Sequence, residues 1–421
     1  MLTLKEDTML GDIPDGWDAK PLNSLLSANY PGDWGEERGP EMIGVLRSTN
    51  LTNDGGLDLR DVALRALAPT KAERLVPRKH DILLERSGGG PGQPVGRVGF
   101  VAADMPGHGF SNFLHLLRPD PNEIDARFLA WVLYRVNRTG RIVRLEQQTT
   151  QLRNLHFRDY LSVLVPVPPP HERVAIARIL DAVDTALERT RAAVEQARAF
   201  ERSVLEDAFE NLDAPHLQLL AFTADVRYGT SMASSDRGWG NPVLRIPNVV
   251  GDRLALADLA FVELPPSDVE RLRLDDGDLL LVRTNGNPNY VGRSVVFRPP
   301  DERIWVYASY LIRVRLKSGL LPEFVNVYLG IERGRRELLR RVTTSAGNHN
   351  INSNSIRLLR LPVPASEAVQ ADIVELSRAS RSHIDALVKK ARSLEILKES
   401  LMHDLLTGRV RVRDTSKLGV S

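Results

Sequence analysis

The chain has 421 residues, of which 42% are hydrophobic and 26% charged, and its net charge at pH 7 is +2. This composition is typical of a globular protein with two or three domains. The absence of cysteine excludes disulfides, thiolate nucleophiles and cysteine-ligated zinc, and the nine histidines lack metal-ligand spacing, so we predict no metal site. No apolar run approaches the ~20 residues that cross a bilayer, and residues 1–16 do not resemble a signal peptide. We therefore expect a cytoplasmic protein without a membrane partner.

The basic residues comprise 47 Arg and only 9 Lys. Arginine suits planar contacts with phosphate and guanine, but the codon usage of a GC-rich genome explains the excess equally well. Their distribution is more informative, since residues 281–360 contain 14 Arg and Lys against 5 Asp and Glu. A basic region within a nearly neutral chain is typical of a nucleic-acid surface.

Residues 12–168 are predicted to form a first mixed α and β domain. Short strands at 95–102 and 113–117 alternate with Gly and Pro, and a helix follows at 126–145. Prolines at 166 and 168–170 end this domain. Residues 171–211 contain neither Gly nor Pro, and their apolar residues recur at three- and four-residue steps, which predicts a long amphipathic helix of ~60 Å.

A second domain at 213–363 and a second long helix at 366–407 repeat this order. Its predicted strands are 279–283, 293–297 and 310–316, and a helix is predicted at 322–342. Segments of the first half recur about 197 residues later in the same order. The matched segments are 45–51 with 243–249, 81–87 with 278–284, 95–97 with 291–293, 164–168 with 361–364, and 203–207 with 400–404.

This period is too long for a solenoid, and each copy is long enough for its own core. We therefore predict an α+β fold with two similar mixed α/β domains, related by a pseudo-two-fold axis and joined by two long antiparallel, coiled-coil-like helices. An alternative is that each helix packs only on its own domain.

The candidate DNA-contact residues occupy matching polar segments of the two copies. Arg can read guanine, Asn can read adenine, and Ser or Thr can bind phosphate. Turn chemistry or solvated surface explains the same residues, and both alternatives stay open. In the first copy the candidates are Arg86, Ser87, Arg97, Arg138, Arg141, Arg144 and Gln151. In the second copy they are Arg283, Thr284, Asn285, Arg293, Arg336, Arg340, Asn348, His349 and Asn350.

The spacing of Arg138, Arg141 and Arg144 predicts that the three lie on one face of a helix, and Arg333, Arg336 and Arg340 repeat this arrangement.

Enzyme motifs are incomplete. Residues 287–290, Asn-Pro-Asn-Tyr, differ by one residue from the Asn-Pro-Pro-Tyr motif of adenine N6-methyltransferases, but no Gly-rich cofactor loop precedes them, so a turn is favoured. The glycines at 88–92 are not followed by the Gly-Lys-Ser/Thr of a P-loop. We expect the chain to be non-catalytic.

Taken together, the sequence resembles the specificity subunits of type I restriction-modification systems. The resemblance rests on residues 13–17, Ile-Pro-Asp-Gly-Trp, on the Pro-Val-Pro segments at 166–168 and 362–364, and on residues 405–409, Leu-Leu-Thr-Gly-Arg. It implies two target-recognition domains that each read half of a split site in double-stranded DNA, with helices that set the spacer.

The resemblance also implies partners. Two modification subunits would dock on the helices, around residues 189–201 and 382–398, and two restriction subunits are possible further partners. S-adenosylmethionine, Mg²⁺ and ATP would bind these partners, and this chain would hold no cofactor. Two other interpretations stay open, namely a two-lobed protein–protein scaffold without DNA readout and an orphan specificity protein without an active nuclease partner.

Overall fold

The structure of the chain is a computed structural model that describes residues 4–89, 92–148, 153–251, 253–345 and 347–412. Its contacts divide the chain into two compact units. Unit 1 takes the residues up to Thr190 and those from Lys390 onward, and unit 2 runs from Arg191 to Lys389. These boundaries fall within the two long helices. The division into segments 12–168, 171–211, 213–363 and 366–407, which gives each helix a segment of its own, stays a prediction.

The regular elements of the first half are short strands and three helices, followed by a long helix. The strands are β1 (Leu4–Thr8), β2 (Gly11–Pro14), β3 (Asp18–Pro21), β4 (Leu26–Pro31), β5 (Met42–Leu46), β6 (Ala63–Ala66), β7 (Ile82–Glu85), β8 (Ser87–Gly88), β9 (Val98–Phe100), β10 (His108–Phe110), β11 (Leu114–Pro119), β12 (Glu146–Gln148), β13 (Arg153–Leu155) and β14 (Leu164–Val167). The helices are α1 (Pro69–Arg74), α2 (Ala126–Arg138), α3 (Phe157–Leu161) and α4 (Pro170–Glu210).

The second half follows the same plan. Its strands are β15 (His216–Gln218), β16 (Thr223–Tyr228), β17 (Asn241–Leu244), β18 (Ala260–Val262), β19 (Leu279–Val282), β20 (Thr284–Asn285), β21 (Ser294–Val296), β22 (Val306–Tyr307), β23 (Leu311–Leu316), β24 (Thr343–Ser345), β25 (Asn348–Asn350) and β26 (Arg360–Pro362). Its helices are α5 (Ile246–Val249), α6 (Pro266–Leu272), α7 (Pro322–Gly330), α8 (Glu332–Leu339), α9 (Ser353–Arg357) and α10 (Glu367–Leu406).

The two units have the same sheet topology. The four-stranded antiparallel sheet β4-β11-β7-β9 of unit 1 corresponds to β16-β23-β19-β21 of unit 2. The sheets β10-β5-β6 and β22-β17-β18 each contain one parallel pair, and β12-β13-β8 and β14-β3 correspond to β24-β25-β20 and β26-β15. This shared topology confirms the prediction of two similar mixed α and β domains.

The main core of each unit lies between its four-stranded sheet, the helix that packs on this sheet (α2 in unit 1 and α7 in unit 2) and one end of each long helix. In unit 1, Phe128 and Trp131 of α2 belong to one buried cluster with Ile176 of α4 and Met402 of α10. In unit 2, a corresponding buried cluster is formed by Phe209, Phe324, Tyr328 and Ile373. Burial of one such large side chain contributes ~1.5–3 kcal/mol, so these clusters fix the helix ends to their units.

The long helices closely follow the sequence prediction, since α4 runs from Pro170 to Glu210 and α10 from Glu367 to Leu406. Within unit 1, Glu172 at the start of α4 bonds Arg411 just beyond α10, and Asp184 bonds Lys398. Rising numbers on α4 thus meet falling numbers on α10, so the helices are antiparallel there. Among the described residues, no helix has the length and apolarity required to cross a bilayer.

Two of the predicted helices are interrupted. α2 ends at Arg138 because Gly140 adopts φ 69°, and residues 141–145 form a separate 3-10 helix. In unit 2, Ile331 is extended and separates α7 from α8, while a Cβ atom on Gly334 would lie 1.8 Å from the Tyr328 carbonyl oxygen. The predictions of single helices at 126–145 and 322–342 were therefore wrong.

Candidate nucleic-acid interface

A matching ion pair fixes the sheet that carries the candidate residues in each unit. Arg118 donates to both carboxylate oxygens of Asp81 at 2.7 Å, and Arg315 donates to those of Asp278 at 2.8 and 2.7 Å. Both aspartates are buried. Their hydrogen bonds to the guanidinium groups raise the pKa of Arg118 and of Arg315. The same ion pair therefore ties the start of β7 to β11 in unit 1 and the start of β19 to β23 in unit 2.

The repeated Arg-x-x-Asn motif has a structural role. Asn50 accepts a hydrogen bond from the Arg47 backbone amide at 2.8 Å and donates to the carbonyls of Asp58 and Asp61. Asn248 accepts from the Arg245 amide at 2.7 Å and donates in the same way within its own loop. These buried side-chain amides provide hydrogen-bond partners for backbone groups of the loops that would otherwise be unpaired.

An arginine stands directly after the central strand of each unit. The Arg86 amide donates to the Phe113 carbonyl and the Arg283 amide to the Tyr310 carbonyl, both at 2.8 Å. The side chain of Arg86 lies over the Phe157 ring at 5.8 Å, and that of Arg283 lies over the Tyr228 ring at 4.6 Å. Aromatic rings support both guanidinium groups. One donor of Arg283 is already used, since its Nη1 donates to the Ser309 carbonyl at 3.3 Å.

The residues that follow these arginines belong to the small three-stranded sheets. In unit 1 the Ser87 hydroxyl bonds the Asn154 side-chain oxygen at 2.6 Å. In unit 2 Thr284 pairs with Asn350 and Asn285 pairs with His349, while Thr344 bonds the His349 ring at 3.1 Å. The structure therefore brings together six of the unit 2 candidates, namely Arg283, Thr284, Asn285, Asn348, His349 and Asn350.

Arg97 and Arg293 occupy matching positions but have different surroundings. Arg97 donates to Glu85 at 2.8 and 2.9 Å and to the carbonyls of Ser48 and Leu51. Arg293 is exposed and donates to the Asn289 carbonyl at 3.2 Å. Among the described residues, no carboxylate lies within ion-pair distance of Arg293. Only the second of these two candidates presents its charge to solvent.

The candidates Arg138, Arg141 and Arg144 do not lie on one helical face, because the helix breaks at Gly140. Arg138 lies 3.4 Å from Glu399, Arg141 donates to the Met9 carbonyl at 3.0 Å, and Arg144 is exposed. This corrects the expectation of a continuous arginine face in the first copy.

In the second copy, Arg336 and Arg340 are exposed, with Glu332 at 3.7 Å and Glu337 at 3.8 Å respectively. Such exposed pairs are weak, so both arginines can exchange these partners for a phosphate. Arg333 differs, because it pairs with Glu210 of α4 at 3.3 Å. Gln151 lies outside the described residues.

Residues 287–290 form a hydrogen-bonded turn. The side chain of Asn285 accepts from the Asn287 amide at 2.9 Å, and that of Asn287 accepts from the Asn289 amide at 3.0 Å. Arg335 donates to the Pro288, Asn289 and Val291 carbonyls, and burial lowers the pKa of this arginine. Turn chemistry accounts for this segment, in agreement with the turn that the sequence favours.

Exposed aromatic residues are a feature that the sequence reasoning missed. Tyr310 is 59% exposed beside Arg283, and Trp239 is 74% exposed in the loop between β16 and β17. Unit 1 presents Phe113, 38% exposed, at the position of Tyr310. The flanking glycines of Gly238-Trp239-Gly240 were the available signal, because an aromatic residue between turn glycines is poorly placed for a core.

The long helices also expose apolar side chains. Phe200 of α4 is 66% exposed, and Leu397, the matching residue 197 positions later on α10, is 44% exposed. Phe200 lies within segment 189–201 and Leu397 within segment 382–398, the two segments that the sequence predicts as docking surfaces for partners.

The chemistry available in these sites is that of binding. Guanidinium groups, amides, hydroxyls and aromatic faces recognise phosphates and base edges. In the described part of the chain, no group of three His, Asp or Glu residues could hold a metal ion.

No protein-family model matches the sequence. It is 25% identical over 411 residues to the type I restriction enzyme EcoKI specificity subunit of Escherichia coli K12. This alignment covers 91% of this chain and 86% of the relative. It is 23% identical over 422 residues to the StySPI specificity subunit of Salmonella potsdam, which covers 94% and 89%.

Solved structures share the fold. The type I restriction-modification S subunit from M. genitalium has a TM-score of 0.57 at 16% identity, over 96% of this chain and 98% of that one. A chain from a structural study of type I R-M complex assembly has a TM-score of 0.61 at 15% identity, over 94% and 99%. The duplicated topology thus goes together with a likeness to type I restriction-modification specificity subunits along nearly the whole length of the chain.

Proposed function

We propose that this chain is the sequence-specific DNA-binding subunit of a type I restriction-modification complex and that each unit reads one half of a split site. The observation that carries the proposal is the duplicated arginine site. Arg86 and Arg283 follow matching strands, and each lies over an aromatic ring. The backbone amide of each makes the corresponding hydrogen bond within its own unit. Two similar reading sites in one chain suit a target with two separate halves.

The differences between the sites support two different half-sequences. Both units keep the frame set by Asp81 with Arg118 and by Asp278 with Arg315. The groups beside the arginine differ, since unit 1 offers Ser87 with Asn154, whereas unit 2 offers Thr284 with Asn350 and, next to them, Asn285 with His349. Amides and hydroxyls discriminate between base edges, so a common frame with different polar groups reads different bases.

Unit 2 contributes the stronger electrostatic attraction. Its segment 281–360 carries the excess of basic residues, and Arg293, Arg336 and Arg340 are exposed there. Neutralisation of phosphates by such groups releases counterions, which makes binding dependent on salt concentration.

The two long helices set the spacer of the target and dock two modification subunits. At ~1.5 Å per residue, a helix of about 40 residues reaches roughly 60 Å, whereas half-sites one turn apart are separated by ~34–36 Å. The exposed Phe200 and Leu397 support docking at matching positions. Two restriction subunits complete the assembly, and S-adenosylmethionine, Mg²⁺ and ATP bind the partner subunits. The chain itself is non-catalytic.

Methylome sequencing of cells that express this chain with its modification subunit tests the proposal. We expect methylation at a split motif with a fixed central gap, and insertion of one heptad into each long helix should lengthen that gap. Methylation at continuous motifs only, or none, would contradict DNA readout. A protein–protein scaffold would in addition show no salt-dependent binding to duplex DNA.

A further inference from the structure

Two ion pairs join the long helices at matching positions. In unit 1, Lys398 of α10 donates to Asp184 of α4 at 2.5 Å. In unit 2, Arg381 of α10 donates to Glu201 of α4 at 3.3 Å. Position 381 lies 197 residues after 184, and position 398 lies 197 residues after 201. The offset of the duplication therefore relates the two pairs.

The first pair is buried and the second is partly buried. The side chains of Asp184 and Lys398 are 12% and 6% exposed, and Lys398 lies 5.0 Å from the ring centres of both Trp131 and Tyr134. The side chains of Glu201 and Arg381 are 17% and 25% exposed. Charges at such positions require an oppositely charged partner, because an unpaired or like-charged neighbour is strongly destabilising there.

At matching positions of the two helices the charges have opposite signs, because the acid Asp184 corresponds to the base Arg381 and the acid Glu201 to the base Lys398. α4 supplies both acids, Asp184 and Glu201, and α10 supplies both bases, Arg381 and Lys398. If two copies of α4 paired with the same geometry, Asp184 of each would face Glu201 of the other. Two copies of α10 would likewise oppose Arg381 and Lys398.

The apolar residues around these pairs do not discriminate between such arrangements. Ile176 and Leu187 of α4 are buried, and so are their counterparts Ile373 and Ile384 of α10. Leu205 and Met402 form a third buried matching pair. Apolar packing alone would permit each helix to pair with a second copy of itself, so the charged positions carry the difference.

We propose that this segregation of charge restricts α4 to pairing with α10. The two halves of the chain then recognise each other, and neither half recognises a second copy of itself. Association of two chains through α4 with α4, or through α10 with α10, is thereby disfavoured. The inference concerns helix pairing alone, so its test does not depend on DNA binding.

The test uses the whole chain with a protease site inserted at residues 211–214, in the connection between α4 and β15. The folded protein is nicked there, the two fragments are unfolded together in urea and refolded by dilution, and native mass spectrometry identifies the species. For the wild type we expect one N-terminal with one C-terminal fragment, and self-paired species at less than a tenth of this amount.

A double substitution, Asp184→Lys with Lys398→Asp, keeps both native pairs complementary but removes the like-charge contacts from the self-pairs. It should raise the self-paired fraction at least tenfold. Glu201→Arg with Arg381→Glu is an independent second variant with the same expectation. The control Glu195→Arg with Arg198→Glu exchanges an exposed pair on α4 and should behave as the wild type. Abundant self-paired wild-type fragments, or no increase in either double variant, would overturn the proposal.

Discussion

The guanidinium of Arg97 donates hydrogen bonds of 2.8 and 2.9 Å to the two carboxylate oxygens of Glu85, whose side chain is 1% exposed. In unit 2 the residue at the place of Glu85 is Val282, whose backbone amide bonds the Arg293 carbonyl as that of Glu85 bonds Arg97. Without the carboxylate, Arg293 extends to the surface. The residue on the neighbouring strand thus determines whether this arginine serves the fold or can bind an anion.

Arg97→Ala should destabilise unit 1, because it leaves the buried Glu85 carboxylate without its charged partner. Removal of one member of a buried ion pair costs ~3–5 kcal/mol. Urea unfolding followed by tryptophan fluorescence measures the effect, and Trp17 and Trp131 lie in unit 1. The matched control is Arg293→Ala, for which we expect a change within ~0.5 kcal/mol. Equal stability of the two variants would contradict this assignment.

Arg293→Ala should instead weaken binding to duplex DNA and lower the slope of log affinity against log salt by up to ~0.9, the amount expected for one lost phosphate contact. Val282→Glu should have a similar effect, since it introduces the carboxylate that holds Arg97 in unit 1. Fluorescence anisotropy over a range of salt concentrations checks both.

The control for these two variants is Val282→Leu, which changes the same buried position without adding charge and should keep the wild-type salt dependence. If Arg293→Ala binds like the wild type at every salt concentration, this arginine is outside the DNA footprint.

The features that the sequence predicted well are those that follow from periodic patterns. The long helices α4 and α10 agree with prediction within one or two residues, because an uninterrupted apolar repeat leaves few alternatives. The duplication was visible because framework positions such as Asp81 and Asp278 form the same ion pair in both units.

The remaining features depend on tertiary contacts that local sequence does not reveal. The break after α2 requires the positive φ of Gly140, and the break before α8 requires the close approach of Gly334 to Tyr328. The sequence treats Arg97 and Arg293 as equivalent because both follow Val-Gly. Their difference arises from a neighbouring strand, through a pairing that only the fold defines.

The stability of unit 1 should fall in mild acid because of His115. This side chain is 4% exposed and lies 3.7 Å from the Phe157 ring, and burial together with the nearby Arg86 charge lowers its pKa to about 4. The unfolded chain, with a pKa near 6.5, therefore binds the proton more readily. The contribution of neutral His115 to the free energy of unfolding is complete above pH ~6.5. Up to ~3 kcal/mol of this free energy is lost as the pH falls toward 4.

Comparison of the wild type with His115→Ile, the residue type found at the matching Ile312, isolates this effect. Urea unfolding at pH 7.5 and pH 5 should show a larger loss of stability for the wild type than for the variant. Parallel losses in the two proteins would show that His115 does not govern the acid sensitivity.

Glu172 should hold the segment that follows α10 in unit 1. Its carboxylate, buried at 2% exposure, accepts hydrogen bonds from the Trp17 indole, the Arg411 guanidinium and the Val412 amide. Burial opposes its ionisation, but the bonds from Arg411 and Trp17 outweigh this and lower its pKa. The ionised form therefore stabilises the contact above pH ~4.5, and the contact weakens as the pH falls.

Glu172→Gln should cost ~2 kcal/mol locally and speed tryptic cleavage after Arg411 by roughly 30-fold, as followed by mass spectrometry. Cleavage after the exposed Arg237 of unit 2 provides the internal reference and should not change. Unchanged cleavage at Arg411 would mean that the apolar contacts of Gly408 with Pro14 and Trp17 hold this segment without the carboxylate.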